Sequence, residues 1–207
     1  KANESLGKGH RFRNITINSS SLEWHDVESY VTNYKIGSFS ITSSNKYKKY
    51  EPEKYDLAVM MDCSQCPIHE DRKDLFNFYV DKHSRTLRNN NVEPSFLMTW
   101  AYKDLPEMIV GLSDAYISAG NRNEAFVFPV GLAFQLAQEK FPDIDLYTPD
   151  KRHPSKAGTY LMAAVIYSSI YNYSPIGNTY DYGLGKNIHA NLQEIAWETI
   201  QRYQGRK

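Results

Sequence analysis

The chain lacks net charge, long apolar runs and internal repeats. Among its 207 residues, Lys plus Arg and Asp plus Glu each number 24, so the formal net charge is zero. A neutral chain exerts no long-range attraction on nucleic acid or anionic lipid, and we expect neither as a partner. The longest apolar run, 160–167, is too short to cross a bilayer. What remains is the composition of a globular protein, with 41% hydrophobic residues to build a core.

Cysteine is also scarce, with two residues in the stretch Cys63-Ser-Gln-Cys66. A zinc site needs more ligands at metal-ligand spacing, and a redox motif needs a strand–helix–strand context. His69 is the nearest histidine, and no second cysteine pair occurs. We therefore expect no metal and no cofactor. The pair itself predicts either a local disulfide or two free thiols.

Strand-like and helix-like stretches alternate along the chain. Alternation of polar and apolar residues or short apolar runs predict strands at 14–18, 55–61, 95–101 and 125–130, the second of them buried on both faces. Helical spacing of apolar residues predicts helices at 73–88, 107–119, 132–140 and 187–203, with Gly120 ending the second and a further helix following Ser155. This alternation predicts an α/β fold with a mostly parallel sheet.

The segment 148–154 combines an acid and an imidazole on one short loop. Asp150 and His153 are close enough in sequence for the carboxylate to reach imidazole Nδ1, which would fix the tautomer and leave Nε2 free as a general base. Pro154 keeps His153 out of helical geometry, and Ser155 is placed to cap the apolar helix that follows. The alternative is a surface turn with no chemistry.

The string Asp150-Lys-Arg-His153-Pro-Ser-Lys-Ala-Gly-Thr-Tyr-Leu161 resembles the last block of the SGNH (GDSL-like) hydrolases. Three other segments are similar to blocks of an uncharacterised, mostly bacterial SGNH-like subgroup: 21–25, 55–64 and 96–102. The resemblance covers roughly 12–175. It implies a three-layer, flavodoxin-like sheet in a single domain over 1–207, with a C-terminal extension at 176–207 that carries an amphipathic helix.

The same resemblance implies a serine ester hydrolase, of the SGNH esterase or acetylesterase type, for a small or carbohydrate-linked ester. His153 would take the proton of the nucleophilic serine, and Asp150 would orient His153. The positions matching the family's oxyanion-binding residues are Ser20, Ser21 and Ser64. The candidates for the substrate pocket are Asp62, Trp100 and Tyr102.

The chain departs from the family pattern in its first block, a buried strand ending in Gly-Asp/Asn-Ser. Ser5 has a faint likeness to that serine, but no apolar strand leads into it. We therefore expect the family's first strand and helix to be missing from 1–207. A preceding segment or a partner chain would then complete the sheet and supply the nucleophile, because unpaired strand edges leave backbone groups without partners.

Two other functions stay open. One is a catalytically inactive SGNH-like protein that binds a glycan or a partner, favoured by the missing first block and the altered oxyanion positions. The other is a metal-dependent phosphoesterase using His10, His25, His69 and Asp62, which is disfavoured because these residues lack metal-ligand spacing. The bacterial subgroup and the absence of a starting Met favour a secreted or periplasmic location over a cytoplasmic one.

Overall fold

A computed structural model of the chain describes residues 12–32, 38–41, 46–50 and 54–205. The strands in these residues are β1 (Ser38–Ile41), β2 (Tyr47–Tyr50), β3 (Leu57–Met60), β4 (Glu93–Leu97) and β5 (Phe126–Phe128). The helices are α1 (Val27–Thr32), α2 (Lys73–Asn89), α3 (Met108–Arg122), α4 (Val130–Lys140), α5 (Lys156–Tyr171) and α6 (Lys186–Tyr203). A 3-10 helix, Leu22–Trp24, precedes them.

The described residues group into two compact units. Unit 1 contains 98–113 and 128–205, and unit 2 contains 12–97 and 114–127, less the gaps named above. Asp150 and His153 therefore belong to unit 1, whereas Cys63 and Cys66 belong to unit 2. The single domain over 1–207, with its extension at 176–207, stays a prediction.

A three-stranded parallel sheet in the order β3-β4-β5 confirms the predicted α/β class. Leu57 lies opposite Glu93 and Met60 opposite Phe96, and α2 packs against β4. The last four residues of β4 are buried, as a strand between two neighbours should be. β1 and β2 form a separate antiparallel pair that the sequence did not predict.

Strand β3 is less buried than its sequence predicts. Leu57, Val59 and Met61 are 38%, 43% and 50% exposed, so the expectation of burial on both faces is wrong. The exposed residues alternate along the chain, so they share one face of β3, and nothing among the described residues buries that face. Within the described residues β3 also pairs with β4 alone, which leaves its other edge open. The strand predicted at 14–18 is also wrong. Those residues carry no ladder, and an alternating pattern without a partner strand does not make one.

Gly120 does not end its helix, because α3 continues to Arg122. A Cβ at position 120 would lie 2.6 Å from Val127 Cγ2 and 2.9 Å from the Ala125 carbonyl oxygen. The glycine therefore allows α3 to approach the segment that leads into β5, which is a packing role within unit 2.

Unit 1 is built around three helices, α4, α5 and α6, of which the last two make the most extensive contact. Its core holds fully buried side chains from all three helices, namely Phe134, Leu161, Val165, Leu192 and Ile195. The predicted amphipathic helix at 187–203 is observed as α6. In the parts of the chain that are described, no helix combines the length and apolarity of a membrane span.

Candidate active site

Asp150 and His153 are in direct contact at the start of the turn before α5. His153 Nδ1 lies 2.5 Å from Asp150 Oδ2, and because a carboxylate accepts, the imidazole donates this hydrogen bond. Nε2 is then the acceptor nitrogen of a neutral imidazole. The His153 side chain is 79% exposed and that of Asp150 45%, so this nitrogen is open to an incoming group.

Asp150 is held by donors on both carboxylate oxygens. Its Oδ1 accepts from the Thr148 hydroxyl at 2.7 Å and from the backbone N–H groups of Arg152 and His153 at 2.9 and 3.0 Å. The hydrogen bond from the His153 ring, followed by the bond from Thr148 and the two backbone bonds, holds the pKa of the Asp150 carboxyl well below its usual range. The group is therefore a fixed anion that orients the imidazole at any pH near neutrality.

Backbone hydrogen bonds close the loop that carries this pair. Thr148 N–H donates to the His153 carbonyl at 2.8 Å, and Ser155 N–H donates to the Leu146 carbonyl at 2.8 Å. Ser155 caps α5, as predicted, since its Oγ accepts from Ala157 and Gly158 N–H at 3.1 and 3.2 Å. The backbone bonds therefore join the two ends of the loop to each other beside the N-terminus of α5.

Trp100 and its neighbours support the loop from the side. Trp100 Nε1 donates to the Arg152 carbonyl at 2.8 Å, and its ring stacks on Phe134 with centroids 4.9 Å apart. Lys103 N–H donates to the Lys151 carbonyl at 2.9 Å. The Arg152 guanidinium sits 4.9 Å from the Tyr102 ring centroid. Both pocket candidates of unit 1, Trp100 and Tyr102, therefore contact the loop of Asp150 and His153.

A nucleophile for this pair is not found in the described residues. None of their serine hydroxyls lies within hydrogen-bond distance of His153 Nε2, and the nearest in sequence, Ser155, donates to the Asp145 carbonyl at 2.7 Å. Ser5, the weak sequence candidate, lies outside the described residues.

Unit 1 also contains a cavity of about 300 Å³. Its lining includes the aromatic side chains Phe134 and Tyr147 and the polar side chains Gln135, Gln138 and Glu139, the last three from α4. Burial, and then the charge of Asp145, raises the pKa of Tyr147, which stays a neutral hydroxyl and donates to the Ala101 carbonyl at 2.8 Å. The volume of the cavity is at the lower end of the range for pockets that bind small organic molecules.

The candidate oxyanion residues belong to unit 2, where Ser21 and Asp62 border one small cleft. The Ser21 hydroxyl is buried and makes no hydrogen bond to the described residues. Ser20 N–H donates to the Ile17 carbonyl at 3.2 Å, and its hydroxyl contacts His25 Nε2 at 3.1 Å. Ser64 is partly exposed in the turn between the two cysteines. Their roles as oxyanion donors stay predictions.

Asp62 is 4% exposed and acts as a brace within unit 2. Its Oδ1 accepts from Leu22 N–H at 3.0 Å and Cys63 N–H at 2.7 Å. Burial raises the pKa of Asp62 against the lowering effect of these two bonds. The buried carboxylate therefore ties the 3-10 helix to the end of β3.

Of the two cysteine states left open by the sequence, the structure has the disulfide Cys63–Cys66. Within the described part of the chain, the group with metal-like spacing is Asp62, Cys63 and Cys66, whose ligand atoms lie within 4.8 Å of one another. Thiolates bind metals and a disulfide does not, so this group is not a metal site in the oxidised protein.

Comparison with known proteins adds a fold likeness. The chain matches no family model and no curated protein. Among solved structures, it is similar to a DUF4886 family protein from Bacteroides uniformis, with a TM-score of 0.77 and 18% identity over 100% of this chain and 89% of that one. It also matches a proposed SGNH hydrolase from Slackia heliotrinireducens, with a TM-score of 0.49 and 23% identity over 57% of this chain and 67% of the other. The first likeness shows a shared fold at a sequence identity too low to carry function.

The sequence did not single out Thr148 or the bracing role of Trp100. Thr148 lies two residues before Asp150, and a hydroxyl at that spacing can bond to the carboxylate, so the sequence alone could have indicated this contact. The hydrogen bond from Trp100 to Arg152 joins residues that are 52 positions apart, so no local sequence pattern predicts it.

Proposed function

We propose that the protein is a serine ester hydrolase in which His153 is the general base and Asp150 its orienting anion. The observation that carries this proposal is the 2.5 Å bond from His153 Nδ1 to an Asp150 carboxylate held by three further donors. That arrangement fixes one tautomer and leaves Nε2 to take a proton. A small or carbohydrate-linked ester is the proposed substrate class.

The proposed reaction is acyl transfer to water in two steps. His153 Nε2 takes the proton of a serine hydroxyl while the serine oxygen bonds to the ester carbonyl carbon. The protonated imidazole then delivers that proton to the departing alcohol oxygen, which leaves an acyl-serine. Water repeats the sequence, its proton passing to His153 and then back to the serine as the acid is released.

We propose that the nucleophilic serine is supplied by a chain segment outside the described residues or by a partner chain. No hydrogen bond joins a serine hydroxyl of the described residues to His153 Nε2, which supports this source of the nucleophile. A strand added at the edge of β3 that is open in the described residues would satisfy the backbone groups there.

Hydrolysis of p-nitrophenyl acetate by the intact protein tests the proposal. We expect turnover that falls by at least about 100-fold in His153→Ala, since general base catalysis is worth that much. His69→Ala, which removes an exposed imidazole of unit 2, is the matched control and should keep full activity.

The competing function is that of an inactive relative that binds a glycan or a partner. The absence of a described serine near His153 Nε2 favours it, and the cavity lined by α4 would give a small ligand a place. A folded protein with no turnover that binds immobilised glycans would support this second function. Turnover unchanged by His153→Ala would contradict the first.

A further inference from the structure

The Cys63–Cys66 disulfide lies in the crossover of a strand–helix–strand unit. It follows β3 directly, precedes α2, and the chain returns in the parallel strand β4. Two cysteines separated by two residues indicate a redox motif in this context, because functional loops lie at the carboxyl ends of parallel strands.

The two cysteine residues differ in exposure. Cys66 is 5% exposed, whereas Cys63 is partly exposed. An external thiolate therefore reaches the Cys63 sulfur, and Cys66 is the sulfur that leaves when the bond opens. Cys66 N–H also donates to Cys63 Sγ at 3.1 Å, a contact that favours negative charge on Cys63 once the bond is reduced.

A buried carboxyl stands beside both sulfurs. A carboxylate oxygen of Asp62 and the two Sγ atoms all lie within 4.8 Å of one another. Burial raises the pKa of Asp62, so that this group holds its proton to a higher pH than an exposed Asp. It is thus suited to give a proton to a leaving thiolate and to recover one from a thiol.

Other charged and polar groups face this carboxyl. Glu23 and Arg72 border the same cleft, where they form an ion pair of 3.1 Å and act on the pKa of Asp62 in opposite directions. Tyr79 lines the cleft from α2, and Asp62 N–H donates to the Tyr116 hydroxyl from α3 at 3.3 Å.

We propose that Cys63–Cys66 is a thiol–disulfide exchange site for a dithiol, with Cys63 as the attacked sulfur and Asp62 as the proton carrier for Cys66. A thiolate of the dithiol bonds to Cys63 Sγ, the Cys63–Cys66 bond breaks, and its electron pair goes to Cys66 Sγ, which takes the proton of Asp62. The second thiolate of the dithiol then attacks the mixed disulfide and releases Cys63 as a thiolate. The dithiol is oxidised, the protein gains two electrons, and Asp62 regains its proton from water. This reaction does not depend on the proposed esterase activity.

The first test traps each cysteine alone. Cys66→Ser leaves Cys63 free and Cys63→Ser leaves Cys66 free, and each folded variant is mixed with oxidised glutathione while adduct formation is followed by mass spectrometry. We expect the variant that keeps Cys63 to react at least about tenfold faster, because its sulfur is accessible and favours the thiolate form. Equal rates, or the reverse order, would overturn the assignment.

The second test follows reduction of the folded protein by dithiothreitol across pH. Asp62→Asn keeps an acceptor for Leu22 N–H but removes the proton, and we expect it to slow reduction at least about tenfold and to alter its pH profile. Gln65→Ala, inside the same two-residue turn, is the control and should be reduced at the same rate as the unmodified protein. A disulfide reduced only after denaturation, or an Asp62→Asn profile identical to that of the unmodified protein, would refute the proposal.

Discussion

Replacing Gly158 by alanine tests how closely α5 must approach the loop of the candidate site. Gly158 lies in the first turn of α5, and a Cβ there would meet the Leu146 carbonyl oxygen at 2.3 Å. The added Cβ would also lie 3.0 Å from Phe134 Cζ and 3.1 Å from Pro154 Cβ, so moving it away from the carbonyl brings it against these atoms. The nearest atom is backbone, so it cannot swing aside as a side chain would.

Two opposing effects decide the sign of this change. Alanine favours a helix over glycine by about 1 kcal/mol. Overpacking costs about 1–3 kcal/mol, and displacing the Leu146 carbonyl also weakens the bond from Ser155 N–H, worth about 1 kcal/mol more. We expect a net loss of about 1–3 kcal/mol in the free energy of unfolding, or a few degrees in Tm.

Urea and thermal unfolding of Gly158→Ala measure this loss directly. Thr159→Ala, the next residue of the same helical turn, is the control because it changes helix propensity without adding an atom near Leu146. A Gly158→Ala protein as stable as the unmodified chain, or more stable, would refute the close approach, since helix propensity alone predicts stabilisation.

Four further changes follow from the same geometry. Ser155→Ala should lower the free energy of unfolding by about 1 kcal/mol through loss of the α5 cap, measured by urea unfolding; no change would show that the cap is dispensable. Trp100→Phe keeps the stacked ring but leaves the Arg152 carbonyl without its donor, which should lower the free energy of unfolding by about 1 kcal/mol in the same assay. An unchanged free energy of unfolding would argue against that hydrogen bond. Folding lowers the pKa of Asp150, so the stabilising effect of this carboxylate is present above about pH 4 and is lost as the pH falls further. The Tm of Asp150→Asn should therefore decrease less on acidification than that of the unmodified protein. An identical decrease would contradict the hydrogen bonds to Asp150. Burial lowers the pKa of His83, so its contribution to the free energy of unfolding is fully present above about pH 6.5 and falls below that pH as the unfolded chain takes up a proton. His83→Gln should therefore flatten the decline in Tm between pH 7 and pH 5. An equally steep decline in the variant would refute this.

Local spacing explains what the sequence could predict of the candidate site. Asp150 and His153 are three residues apart, Ser155 is two and three residues from the N–H groups that it caps, and Pro154 limits the geometry between them. Each relation is set by backbone reach alone, and each is found in the structure. The cysteine pair is equally local, but a separation of three permits both a disulfide and free thiols, so the spacing could not choose between them.

The failures of prediction depend on neighbours that are distant in sequence. The apolar run of β3 indicates full burial, but burial needs a layer packed on each face, and composition does not reveal that one face is exposed. Glycine often ends a helix, but Gly120 lies inside α3, where a larger residue would collide with Val127. The support of the loop by Trp100 likewise spans 52 residues.

The central claim is that His153, oriented by Asp150, activates a serine. The most direct measurement is labelling of the intact protein with a fluorophosphonate, followed by mass spectrometric mapping of the modified residue. We predict one adduct on a single serine, with the adduct lost in a folded His153→Ala protein and retained in His69→Ala. Folded protein that takes up no label, or labelling that persists unchanged in His153→Ala, would contradict it.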